Sequence, residues 1–159
     1  GHRLLTDDLL AVDFSDPASP QILPAFAQLK LSEEASARVR IEGAEKLPLV
    51  YEDFEKHQHR LGGEFSLARI APGALYVLDR GGDSPSIEPL AGMDALTAVM
   101  RFSYVSRFGK AALKGAAEAL HFRQCAMLAR AAAVGRLHIP ADLDRLDETV
   151  RLVAAAVRA

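Results

Sequence analysis

Gly1-His2-Arg3-Leu4-Leu5-Thr6-Asp7-Asp8 runs directly into Leu9-Leu10-Ala11-Val12-Asp13-Phe14. Leu4-Leu5-Thr6 and Leu9 to Phe14 read as two short strands. The second is nearly all apolar, the pattern of a strand buried on both faces. Asp7-Asp8 sits between them. Adjacent carboxylates at a strand end point in different directions, so each can take a separate task. One could hold a magnesium ion while the other orients or deprotonates a hydroxyl. A turn explains the pair as well, since aspartate favours turns.

Outward from this stretch, Ser15 to Pro20 is a turn cluster. Pro24 biases Gln21 to Lys30 toward an extended loop segment. Ser32-Glu33-Glu34 opens a short helix that ends near Gly43, with Ser32 as cap and two acids at the positive helix start. Leu47 to Tyr51 reads as extended, and Glu52 to Arg60 as an exposed charged stretch closed by Gly62-Gly63. Leu75-Tyr76-Val77-Leu78 is the clearest strand, set between Pro72-Gly73 and Gly81-Gly82, with a hairpin back through Ile87.

From Leu90 the chain reads as mostly helical. Met93, Leu96, Met100 and Tyr104 give one apolar face, with Gly109 as the stop. An alanine-rich helix spans about Ala111 to Ala133 and ends at Gly135. Leu137-His138-Ile139 makes a last short strand. Pro140 starts a final helix, whose Leu143, Leu146, Val150, Val153 and Val157 form a stripe. Strands first, helices after and one late strand imply an α/β layout, or α+β, within one domain over residues 1–159.

Composition narrows the function classes. Half of the 159 residues are hydrophobic and a quarter are charged, as expected of a chain with a real core. The net charge of −2 offers no basic field for nucleic acid or an anionic membrane. The single cysteine, Cys125, makes no internal disulfide and suits a reducing, cytoplasmic setting. No apolar run reaches the roughly 20 residues of a membrane span, and the start lacks a signal-peptide pattern.

The string Gly1 to Asp8 resembles a motif of HPr kinase/phosphorylase and its relatives, whose nucleotide-binding core is shared with phosphoenolpyruvate carboxykinase. Bacterial serine kinases and lasso-peptide kinases belong to that group. Gln28-Leu29-Lys30-Leu31, the strand at Leu75, Pro89-Leu90 and the His121-Phe122 helix also look like its smaller members. The resemblance implies an ATP- and Mg²⁺-dependent transfer to a hydroxyl, serine foremost, of a protein or peptide. It makes Asp8 the general base and Asp7 the magnesium-side residue, and it leaves open a homo-oligomer. The family's phosphate loop, ending in Gly-Lys-Ser/Thr, is absent from this sequence; Gly81-Gly82-Asp83-Ser84 lacks the lysine and the spacing. The chain therefore reads as the part of a kinase domain downstream of that loop, inactive alone. A non-catalytic partner-binding relative and a small-molecule kinase on the same fold are the alternatives.

Lys30 and Lys56 are candidate phosphate contacts, because lysine can neutralise charge on a transferred group. Arg60 and Arg69 are weaker ones; solvated surface charge accounts for all four. His57 and His59 would face one side of a strand, as metal ligands do, but no third ligand lies close in sequence. His121 reads as a packing or capping residue and His138 as structural. Cys125, with no adjacent histidine, reads as an inert buried thiol.

Overall fold

The computed structural model describes residues 2–38, 43–48, 56–62, 65–111 and 113–158. Gly1, Tyr51, Glu52, Asp53, Glu55 and Gly63 lie outside these, as does the side chain of Leu143. The chain is mixed α/β and gathers into two compact units. The first comprises Gly1–Asp13 and Gln21–Ile70; the second comprises Phe14–Pro20 and Ala71–Ala159.

In the first unit, β1 (Ala11–Asp13) pairs antiparallel with β2 (Gln21–Leu23). Ile22 is buried and bridges to Ile70 through N–H to carbonyl contacts of 2.7 and 3.2 Å. The doubly buried strand expected over Leu9 to Phe14 is not formed. Leu9 and Leu10 are 45% and 47% exposed, and only Ala11–Asp13 pairs. Leu4 contributes one bridge, to Phe65, instead of a strand over Leu4 to Thr6.

A second sheet in this unit has the order β3 (Gln28–Ser32), β5 (Lys56–Arg60), β4 (Glu45–Lys46), all antiparallel. The polar stretch read as exposed thus supplies the central strand. Its alternation gives the reason: Lys56, Gln58 and Arg60 share one face while His57 and His59 share the other. Gln28-Leu29-Lys30-Leu31-Ser32 has the same period of two. Ser32 caps α1 (Glu33–Arg38) as expected, its Oγ accepting the Ala35 N–H at 3.2 Å.

The second unit is built on the sheet β6 (Ala74–Arg80), β8 (Ala133–Ile139), β7 (Ser86–Leu90). β8 lies parallel to β6 and antiparallel to β7. The expected hairpin through Ile87 is therefore replaced: β8 inserts between its two arms. Gly135 sits inside β8, not at a helix end. A Cβ there would lie 3.1 Å from the Glu88 carbonyl oxygen and 3.3 Å from the Tyr76 ring, so a side chain at this position would crowd both neighbours.

α2 (Gly92–Phe102) stops well before Gly109. Ser103 Oγ donates to the Met100 carbonyl at 2.9 Å and Ser106 Oγ to the Arg101 carbonyl at 2.9 Å. These hydroxyls satisfy the free carbonyls of the last turn and release the chain into a 3-10 segment, Tyr104–Ala111. α3 (Ala116–Ala131) begins after Gly115, whose φ is +60°. α4 (Leu146–Arg158) follows a 3-10 turn at Leu143–Arg145, not Pro140 directly. Among the described residues, no helix is long and apolar enough to cross a membrane.

Candidate functional site

Asp7 and Asp8 occupy a tight turn. The Leu9 N–H donates to the Asp7 carbonyl at 2.7 Å, and the Thr6 hydroxyl donates to the Leu9 carbonyl at 2.6 Å. Asp8, the centre of this turn, has a φ of +61°, the left-handed region that aspartate tolerates better than most side chains.

The turn faces β3. Asp7 Oδ2 accepts the Lys30 backbone N–H at 2.8 Å. β3 is an edge strand, so this carboxylate takes an amide that its neighbour β5 does not. The Lys30 ammonium reaches back and pairs with Asp8 Oδ2. Three residues singled out from sequence are thereby brought together by one local arrangement. The hydrogen bond to Asp8 holds the Lys30 ammonium above its ordinary range; partial burial opposes this, and the charges of Asp8 and Asp7 add to it.

Lys56 joins this face indirectly. Lys30 stands opposite Gln58 and Ser32 opposite Lys56, so the two lysines are diagonal neighbours on the same side of the ladder. Ladder geometry spaces such neighbours roughly 7–8 Å apart. Arg60 shares the face but pairs with Glu45 at 3.2 Å, and Arg69 pairs with Asp13 at 2.9 Å. Both weaker phosphate candidates thus sit in exposed ion pairs.

The opposite face of the ladder explains the His-x-His pair. His57 Nε2 lies 2.9 Å from Glu33 Oε2, and His59 Nε2 lies 3.1 Å from Ser36 Oγ. Both partners come from α1, so the histidines tie the helix to the sheet. Among the described residues, no group of three His, Cys, Asp or Glu side chains is placed to hold a metal ion.

Magnesium commonly takes only one or two protein carboxylates and fills its shell with water and phosphate oxygens. Asp7 meets that requirement, because the Lys30 amide orients its carboxylate through one oxygen. Asp8 is less suited, since its carboxylate already carries the ammonium.

In the second unit, the Cys125 reading needs correction: His121 Nε2 is 3.4 Å from Sγ. The same nitrogen lies 2.9 Å from Ser103 Oγ, whose own proton goes to Met100. Burial alone pushes the Cys125 thiol up, which keeps it protonated and inert. His138 lies between Asp79 at 3.5 Å and Glu88 at 3.6 Å across the sheet. Gly81 and Gly82, both at positive φ, make the turn after β6, and the Gly81 N–H is spent on the Ile139 carbonyl.

Neither a family model, nor a curated protein, nor a solved structure matches the chain.

Proposed function

We propose that the chain is part of an HPr-kinase-like phosphotransferase that moves the γ-phosphoryl group of ATP to a serine hydroxyl of a protein or peptide. The observation that carries this reading is the meeting of Asp7, Asp8 and Lys30. A base, a metal-side carboxylate and a phosphate contact are the parts that phosphoryl transfer requires, because positioning and charge neutralisation dominate its barrier.

Asp8 accepts the proton of the acceptor hydroxyl. Lys30 holds that carboxylate until an anionic group draws the ammonium away, and then faces the phosphate. Lys56 adds a second positive charge on the same side of the ladder. Asp7 would hold Mg²⁺, which would offset phosphate charge. The glycine-rich loop that grips the phosphates is not in this sequence, so transfer belongs to a protein that supplies it. Such an enzyme would work in the cytoplasm, where ATP is plentiful.

Incubating the full-length gene product with γ-labelled ATP, Mg²⁺ and serine-containing peptides tests the proposal. Label on the serine peptide, absent from its alanine counterpart, supports it. Absence of nucleotide binding by that product would instead favour a non-catalytic partner-binding relative. That second reading draws on the exposed apolar side chains of Phe102 at the end of α2, of Tyr104 and Phe108 after it, and of Val150 and Val157 on α4.

A further inference from the structure

A cleft of about 310 Å³ lies between α2 and the β6–β8–β7 sheet. Val77, Leu90 and Ala98 give it an apolar floor, and Arg101 and Phe102 line it from the last turn of α2. Arg136 and Glu88 also line it; they face each other across the β7–β8 ladder at 3.7 Å, so their charges offset.

Arg101 differs from Arg136. It forms no ion pair with a described residue, and its guanidinium carbon stands 5.7 Å from the centroid of the Phe102 ring. Asp94 lines the cleft too, but it lies two helical turns earlier, about 10 Å along the axis, too far to neutralise Arg101. The cleft thus combines an uncompensated guanidinium, an aromatic ring beside it and an apolar floor.

We propose that this cleft binds a small organic monocarboxylate with a short apolar body. A planar guanidinium matches a carboxylate through two parallel hydrogen bonds. The volume falls in the range of small-ligand sites, which are mostly apolar with a few placed polar groups. Arg101, which is without an ion pair among the described residues, carries one positive charge and so suits a single carboxylate. None of Asp7, Asp8, Lys30 and Lys56 lines this cleft.

Titrating the isotope-labelled protein with sodium hexanoate at constant ionic strength, and following amide and guanidinium resonances, tests the proposal. Saturable millimolar shifts centred on Thr97, Ala98 and Arg101 are expected. Arg101→Gln, an exposed position that leaves the remaining spectrum in place, should weaken binding about tenfold or more, the usual cost of losing a charged hydrogen-bond partner. Acetate should bind more weakly for lack of an apolar body, and 1-hexanol for lack of charge. No saturable shift, equal binding of 1-hexanol or inorganic phosphate, or unchanged affinity in Arg101→Gln would each overturn it.

Discussion

Asp8 carries two loads: a left-handed backbone and the Lys30 ion pair. They can be separated by substitution. Asn tolerates the left-handed region and the pair is exposed, so Asp8→Asn should change stability by less than about 0.5 kcal/mol in urea unfolding. Asp8→Ala meets the steric cost of that backbone and should lose about 1 kcal/mol. Lys30 gives a pH signature. Its pKa is raised in the folded chain, so its stabilisation is complete below the unfolded lysine pKa of about 10.4 and fades as pH rises through the folded value. The stability deficit of Lys30→Met should therefore shrink in alkaline solution above that point. A deficit that stays constant to the alkaline limit would contradict the pairing. Asp7, Asp8 and Lys30 were legible as candidates from residue type and motif. Their meeting was not, because it depends on a turn at positive φ closing onto the edge of a strand 22 and 23 residues away.

Elements show where local pattern was enough and where it failed. The strand at Leu75 to Leu78 and the Ser32 cap follow from local chemistry and appear as read. β3 and β5 were legible in their alternation, but Pro24 and the density of charge masked it. Gly135 was misread because a glycine after an alanine-rich run usually ends a helix. Here it makes room in β8 for Tyr76 and the Glu88 carbonyl. Gly135→Ala should therefore cost about 1–3 kcal/mol in denaturant unfolding, as overpacking does, although its backbone needs no positive φ. α4 makes the complementary point. Its apolar stripe predicts a buried Val150, yet Val150 is 55% exposed and Thr149 is 7% exposed. Thr149→Asp should lose about 2 kcal/mol or more by burying a charge, while Val150→Asp should stay within about 0.5 kcal/mol. Equal effects from the two would mean that the stripe, and not Thr149, faces the interior.

At the scale of the whole molecule, the order of strands and helices foretold a mixed α/β chain, and composition foretold a real core. It could not foretell the connectivity. The order β6–β8–β7 joins strands separated by two helices, and only non-local packing places the last strand between the other two. The division into two units has the same origin. The proposed transfer rests on two carboxylates of one turn, Asp7 and Asp8, and on Lys30 of β3. The most direct measurement compares γ-phosphoryl transfer and ATP–Mg²⁺ binding in the full-length gene product and its Asp8→Asn variant. The account predicts that transfer is abolished while nucleotide affinity stays within about twofold, since a general base acts on the acceptor and not on the bound phosphates. Transfer at the unsubstituted rate in Asp8→Asn would contradict it.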